Sequence, residues 1–300
     1  MTKRHLSAIA KLAITLGLMA YLVASIDLSG AARRLGDITS LGMAELAILL
    51  AAQTALLCTR WVAMLVLCGW RLPVLPAVRN VLVGHFFNQV LPSTVGSDMV
   101  RVLDLVRRRI VLRLEAVMVM ADRLSALAGM GLLITFALPG FFWGPGPENP
   151  ALVAAGWGLV PLVVAGLGGF AVLGAFPTLP MIGRVPRLGP SLQRVWSVLR
   201  QLWLGPRAVL LVLGPAIGIH VITVMLVYVI ARELEIPLSA QQAFMLVPPV
   251  LLLATLPVSI GGWGVREGSF VVAMGLIGIP AADGMLLSIC LGLLGCLQGL

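Results

Sequence analysis

Apolar stretches long enough to cross a bilayer follow one another along the whole of this chain, and no other feature constrains its fold as strongly. A helix crossing a hydrocarbon core about 30 Å thick needs about 20 predominantly apolar residues. Inside that core only helices and closed barrels satisfy every backbone polar group, and unbroken apolar runs of this length read as helices. One such run ends at Ile26, and others occupy Gly42 to Leu67, Leu114 to Leu138, Ala151 to Phe176, Ala208 to Ala231 and Met285 to Leu300. About six full crossings are therefore expected. The first run follows Lys3, Arg4 and Lys11, but it is longer than the apolar region of a removable signal and leads into further membrane segments, so it is read as a span. With 60% hydrophobic and 11% charged residues in 300, and a mean hydropathy of +1.05, few residues remain for a soluble catalytic domain.

Two further apolar stretches are too short or too interrupted to cross. Ala77 to Val90 has 14 residues before Leu91-Pro92, a reach of about 21 Å as a helix. Ala240 to Leu256 contains Pro248-Pro249, ends at Pro257 and runs into Gly261-Gly262-Trp263-Gly264. Both read as broken or re-entrant helices, in elements at about 77–112 and 240–280, which a membrane tolerates where protein or a watery cavity takes up the freed backbone groups. If each element enters and leaves on one side, 15 of the 21 basic residues fall on the side of the N-terminus. Arg33, Arg34 and Arg232 fall on the other side, and Arg60, Arg123 and Arg266 lie at membrane depth. This asymmetry predicts a cytoplasmic N-terminus, with the first broken element open to the cytoplasm and the second to the outside.

The two breaks also resemble each other. Residues 91–101 read LPSTVGSDMVR and residues 256–266 read LPVSIGGWGVR. Without a gap they share Leu, Pro, Gly, Val and Arg, and they pair Thr94 with Ser259 as hydroxyls and Val95 with Ile260 as β-branched residues. Lying on opposite faces by the topology above, they have the pattern of an inverted-repeat transporter. Helix termination alone would account for the Pro and Gly, but not for an Arg about one turn later in both. The expected fold is an all-α integral membrane protein, residues 1–300 forming a single polytopic domain, with the two broken elements related as an inverted repeat.

After each break a helix can restart with Ser97 or Gly262 near its N-cap. Free N–H groups and the positive end of the helix dipole then face the break, and Arg101 or Arg266 follows. Such a terminus binds phosphate, and a lipid head group is the phosphate a membrane cavity would admit. Asp98 and Glu267 stand beside these arginines and can equally neutralise them. Asp122 and Arg123, sequence neighbours that cannot face each other, lie within the third span and each needs a partner at depth. Arg123 is expected to reach a carboxylate of a broken segment, with a structural clamp as the alternative. His85, Asn88 and Gln89 form an i, i+3, i+4 polar stripe facing either cavity or bundle. The candidate substrate-binding residues are thus Asn88, Ser97, Asp98, Arg101, Asp122, Arg123, Gly261, Gly262, Arg266 and Glu267. His220, alone in the fifth span, reads as a core histidine, and the spacing of Gly214 and Gly218 suggests close packing. Leu192, Val195, Trp196, Leu199, Leu202 and Trp203 line one face of a helix at about 190–204, expected on the inner leaflet with Arg194 and Arg200 toward anionic lipid.

Other chemistry has no support. The net charge of +9 is carried by scattered residues and not by a polybasic face with interleaved aromatics, which argues against nucleic acid. Cys58, Cys68, Cys290 and Cys296 lack metal-ligand spacing and read as small buried hydrophobes. There is no nucleotide-binding glycine loop followed by lysine, no HExxH and no nucleophile elbow, and no cofactor or metal is expected.

At FFNQVLPSTVGSDMVR (Phe86 to Arg101), ADR (Ala121 to Arg123) and LPVSIGGWGVRE (Leu256 to Glu267), the sequence resembles the flippase-like membrane family that includes the transmembrane region of lysylphosphatidylglycerol synthase. The resemblance covers nearly the whole chain in order. It implies broken helices around a central lipid cavity and movement of phospholipids or polyprenyl-linked lipids between leaflets. The usual pattern has two glycines before the aspartate, where this sequence has Gly96 and Ser97. The resemblance does not carry the synthase activity, which in bifunctional members belongs to a soluble aminoacyl-transferase domain with no counterpart in these 300 residues.

The expected activity is that of a lipid flippase or lipid transporter in a bacterial inner membrane, acting on a lipid with a phosphate-bearing head group. The alternatives are a membrane transferase with Asp98 or Glu267 as general base, and a non-catalytic membrane subunit of a lipid-modifying enzyme. On a cysteine-free background, single cysteines replacing Arg79 and Arg107 are expected to label from the cytoplasm and those replacing Glu235 and Asp283 from outside. Labelling of the first two from opposite sides would turn the first broken element into an ordinary crossing.

Overall fold

In the computed structural model, residues 13, 15–21, 24, 34–69, 74–90, 112–143, 149–178, 189–256, 258–259 and 262–298 are described. Among them every regular element is helical: α1 Ser40–Leu67, α2 Val74–Val90, α3 Leu112–Ala137, α4 Pro150–Ala175, α5 Gly189–Leu204, α6 Pro206–Glu233, α7 Ala240–Ala254, α8 Val265–Gly275 and α9 Ala281–Gln298. Among the described residues, five helices are long and apolar enough to cross a membrane: Ser40–Leu67, Met118–Trp143, Pro150–Ala175, Pro206–Glu233 and Ala281–Gln298. They match the second to sixth apolar runs of the sequence. The first run lies largely outside the described residues, although 15–21 are helical.

Local chemistry sets the helix ends. Thr39 Oγ1 accepts from the Gly42 N–H at 3.0 Å and caps α1. Asn149 caps α4 ahead of Pro150, whose missing N–H is no loss in a first turn. At α7, Ser239 Oγ accepts from the Gln242 N–H at 3.2 Å while Gln242 Oε1 accepts from the Ser239 N–H at 2.9 Å, a capping box. First-turn tolerance of proline also lets α2 begin at Val74, ahead of the Ala77 expected from the apolar run, because Pro76 falls in that turn. Within α6, Pro215 has no N–H for the carbonyl four residues back. The chain takes a π turn over Val209–Leu213, with the Gly214 N–H donating to the Val209 carbonyl.

Arg34 shows how the α7–α8 element is inserted. Its Nη1 donates to the Leu234 carbonyl just past α6 at 3.0 Å, and its Nη2 pairs with Asp283 in the first turn of α9. The chain going into α7 and the chain coming out of α8 therefore meet at one end of the bundle, so this element goes in and returns. At the same end, Thr39 donates to Glu233 Oε2 at 2.6 Å, and Arg232 binds Glu45 at 2.6 Å and Glu233 at 2.9 Å. One face of the element is packed into protein: Met245 and Leu246 of α7 and Phe270 and Met274 of α8 share a core with Val227 and Ile230 of α6 and Leu286 and Leu287 of α9. The other face is open, with Leu253, Leu256, Val258 and Val272 exposed.

The opposite end is closed by α5, and here the structure corrects the sequence reading. The apolar face expected on lipid packs on protein, with Leu199 and Leu202 buried beside Trp61, Met64 and Met118. Arg200, expected to meet anionic lipid, instead donates to the carbonyls of Leu173, Gly174 and Phe176, which the end of α4 leaves without helical partners. Gln201 Nε2 donates to the Leu67 carbonyl at the end of α1. Of the two glycines singled out on α6, Gly218 does mark close packing, since a Cβ there would sit 2.8 Å from Leu56 Cδ1 of α1; Gly214 has no such neighbour on another helix. Cys58 and Cys290 are buried, and just past α1 burial pushes the Cys68 thiol up, which makes it a weak nucleophile.

α1 and α3 share a buried ion pair, Arg60 Nη2 to Asp122 Oδ1 at 3.0 Å, with the side chains 6% and 9% exposed. Removing one partner strands a buried charge and costs about 3–5 kcal/mol, whereas replacing both by apolar residues of similar volume is close to neutral. Arg60→Met and Asp122→Leu are each expected to lower the melting temperature in detergent by more than the double variant does. Losses that simply add in the double variant would show that the two groups are solvated independently.

Candidate functional site

The break between α7 and α8 is built on two glycines that take left-handed conformations, Gly262 at φ +80° and Gly264 at φ +85°. Side chains are excluded there twice over. A Cβ on Gly262 would lie 2.9 Å from the Ala254 carbonyl oxygen, and one on Gly264 would lie 2.8 Å from Leu18 Cβ of the N-terminal helical segment. The helix restarts at Val265 with Gly264 as its N-cap, two residues later than the Gly262 cap expected from the sequence. Arg266 and Glu267 consequently fall in its first turn.

Glu267 is fully buried and surrounded by donors. Its Oε2 accepts from the Gly264 N–H, and its Oε1 accepts from Arg266 Nη2 at 2.7 Å, Arg266 Nε at 3.1 Å and the Ser288 hydroxyl at 3.0 Å. Arg266 Nε also donates to Ser288 Oγ at 3.1 Å, and its guanidinium lies 4.5 Å from the Trp263 ring centroid, a cation–π contact. Space for this stack comes from Gly292 on α9, where a Cβ would stand 2.8 Å from Trp263 Cη2 and 3.0 Å from Arg266 Cζ. Ser259, the hydroxyl in the repeated motif, is 4% exposed, and its Oγ has no hydrogen-bond partner among the described residues.

Arg266 lines a cavity of about 150 Å³ together with Gln53, His85, Thr223 and Gln298. These residues come from α1, α2, α6, α8 and α9, so the cavity brings the first short helix to the second break. Its amides are held in place: Gln53 Nε2 donates to Thr223 Oγ1 at 2.7 Å and to the Ile219 carbonyl at 3.2 Å, and Gln298 Nε2 donates to Thr54 Oγ1 at 3.0 Å. A second polar cluster forms around the Arg60–Asp122 pair. There His220 Nε2 meets the Ala126 carbonyl at 3.0 Å, and Trp203 of α5 donates to Ser125 at 2.9 Å. His220 is thus a tied core histidine, as the sequence suggested.

Of the other candidate residues, Asn88 lies in α2 with its side chain outside the described set, and Ser97, Asp98, Arg101 and Gly261 lie outside the described residues. Asp122 pairs with Arg60, which the sequence reading left at depth without a role. Arg123 is exposed on α3, and the carboxylate of Glu267 is taken by Arg266. Three residues that complete the site were not singled out from the sequence: Trp263, Ser288 and Gly292. Ser288 and Gly292 are one turn apart on α9, and nothing in an apolar span marks them until α8 is seen against it. Among the described residues no cluster of His, Cys, Asp or Glu could hold a metal ion.

Two apolar grooves complete the picture. One, of about 250 Å³, runs between α3 and α4. The other, of about 550 Å³, lies between α4, α7 and α8 and reaches Gly264 at the break.

The family model for the lysylphosphatidylglycerol synthase TM region matches residues 8–297. The chain belongs to this family. No curated protein and no solved structure matches it. Membership agrees with the five apolar spans and makes the protein an integral membrane protein related to lipid modification or transport.

The crowding at Gly292 gives a direct test of the site's construction. Gly292→Ala is expected to destabilise by about 1–3 kcal/mol through overpacking, although alanine is the better helix former. A Gly292→Ala variant that melts with or above the parent would mean that Arg266 does not lie against α9.

Proposed function

We propose that this protein moves an intact phospholipid or polyprenyl-linked lipid between leaflets, with the head group passing through the polar cavity and the chains remaining in apolar grooves. The observation that carries this reading is the buried Arg266–Glu267–Ser288 cluster at a helix break, beside a cavity lined from six helices. Intramembrane charge of this kind marks substrate pathways more often than it serves stability. Glu267 occupies the position that suits a head-group phosphate, between a helix N-terminal N–H and an arginine. The arriving phosphate takes over these donors from the carboxylate, and the carboxylate reclaims them on release. The buried Ser259 hydroxyl, without a hydrogen-bond partner among the described residues, is a further donor on the same break.

In this reading the segment 91–101 forms the matching break on the cytoplasmic side, with Ser97, Asp98 and Arg101 at the motif positions of Gly262, Trp263 and Arg266. The protein then lies in a bacterial inner membrane with its N-terminus in the cytoplasm. Transport without chemistry is supported over transfer catalysis at Glu267 because both of its carboxylate oxygens already accept from donors of the protein and neither faces a substrate proton. No nucleotide-binding motif is present, so movement runs on a gradient or is equilibration.

In proteoliposomes carrying a fluorescent anionic phospholipid, Arg101→Gln and Arg266→Gln should each slow translocation by about tenfold or more, the loss expected for a charge-assisted hydrogen bond. Lysine at either position should restore only part of the rate, since an ammonium keeps the charge and loses the planar fork. Parental rates in both glutamine variants, with the proteins still folded by melting, would reject the reading.

A further inference from the structure

We infer that the polar cavity beside Arg266 selects a phospholipid whose head group carries hydroxyls next to its phosphate, and that Gln53 and Gln298 are the residues that read those hydroxyls. The inference rests on the lipid-transport reading for its purpose and names the substrate class of the same site.

Two threonines fix which way the glutamine amides point. Thr223 Oγ1 spends its only proton on the Ile219 carbonyl at 2.8 Å, one turn back in α6, so toward Gln53 it acts as an acceptor. Gln53 Nε2 therefore faces two acceptors, Thr223 Oγ1 at 2.7 Å and the Ile219 carbonyl at 3.2 Å, and turning the amide round would lose both. Thr54 repeats the device on α1: its hydroxyl donates to the Leu50 carbonyl at 2.8 Å and accepts from Gln298 Nε2 at 3.0 Å. Both amide nitrogens are thus spent on protein. The two amide oxygens have no hydrogen-bond partner among the described residues, and unlike Ser259 Oγ they are not sealed in. Both side chains line the cavity, and with Gln53 only 7% exposed the cavity is the space into which its oxygen opens.

The guanidinium supplies the opposite polarity. Arg266 Nε and Nη2 are taken by Glu267 and Ser288, which leaves Nη1 as the donor toward a ligand. Glu267 has no exposed surface and is not one of the lining residues, so the charge nearest the ligand is the positive one. A phosphate oxygen fits Nη1. An amide oxygen accepts from a hydroxyl or an ammonium alike, but an ammonium here would stand close to the guanidinium and be repelled by it. A hydroxyl meets no such cost, and choline offers the amide oxygens no proton at all. The lysyl ester that gives the family its name carries ammonium groups and is therefore expected to be a poorer ligand of this chain. The cavity of about 150 Å³ is about half the ~300 Å³ at which pockets begin to hold drug-sized ligands, which suits a glycerol phosphate and not an oligosaccharide.

The test uses the full chain, freed of its four cysteines and given one in place of Leu294 on the cavity wall, and follows labelling by a small thiol reagent in detergent. Dihexanoyl phosphatidylglycerol is expected to protect this cysteine at about tenfold lower concentration than the matching phosphatidylcholine, phosphatidylethanolamine or lysylphosphatidylglycerol, the gain of two hydrogen bonds. Gln53→Met and Gln298→Met keep side-chain length and remove one acceptor each; each should cut the preference about threefold, and the double variant should abolish it. If Gln53→Met does not fold, Gln298→Met carries the same test alone. Equal protection by all four lipids, or a preference that survives in the folded glutamine variants, would overturn the inference. Better protection by either ammonium lipid would overturn the hydroxyl assignment, and glycerol 3-phosphate acting as well as the lipid would overturn the lipid one. Translocation of a fluorescent phosphatidylglycerol separates the two readings. Selective protection without movement in the parent sinks transport and leaves the site standing, and movement without protection does the reverse.

Discussion

A backbone N–H or carbonyl left bare in hydrocarbon costs several kcal/mol, and the break between α7 and α8 creates such groups in the interior of a membrane bundle. Much of the architecture answers that one constraint. Glu267 turns back onto the Gly264 N–H, but a buried carboxylate then needs a positive charge, and Arg266 supplies it. The arginine in turn needs room and company, which Gly292, Ser288 and Trp263 provide. A single polar group at a helix terminus thus dictates residues on a helix that is reached only after another turn of chain. Arg34 holds both ends of the element together from outside, so the break is positioned from its entrance as well as from its tip.

Polar and apolar space are separated in a way that suits an amphipathic cargo. The Arg266 cavity lies between α1, α2, α6, α7, α8 and α9, while the two apolar grooves follow α4. Ala155 and Leu159 border the groove that reaches the break, and Val163, Gly166 and Phe170, further along the same helical stripe, border the other. Between them Leu159, Val163, Ile134 and Leu251 pack together, a partition made only of apolar side chains. A head group and a chain therefore have different surroundings on the same protein, as they have in a bilayer.

Much of this was legible from residue order. Five spans were visible because twenty-residue apolar runs have few other solutions in lipid, and the run at 240–280 could be read as broken because Pro257 and three closely spaced glycines follow α7, although Pro248 and Pro249, also expected to interrupt it, sit within that helix. The pairing of Arg266 with Glu267 was one of two readings that adjacency allowed. What failed was of another kind. The helix at 189–204 has an amphipathic pattern that lipid and protein satisfy equally well, and it is the exposed carbonyls at the end of α4 that draw Arg200 onto protein. For Asp122 only the charges of the broken segments were considered, and the Arg60 on α1 that pairs with it was not among them.

By itself the sequence determined the medium, the helical class, the approximate spans and the place of the second break. Each of these follows from short-range facts: the length of an apolar run, a missing N–H, a backbone that only glycine can follow. Only the tertiary structure decided which intramembrane charges meet, that α5 seals the bundle, and that a glycine on α9 makes space for an arginine on α8. Those outcomes depend on the rotation and depth of one helix against another. They are set by the summed packing of many near-equivalent apolar side chains, which leaves little periodic trace in any one segment.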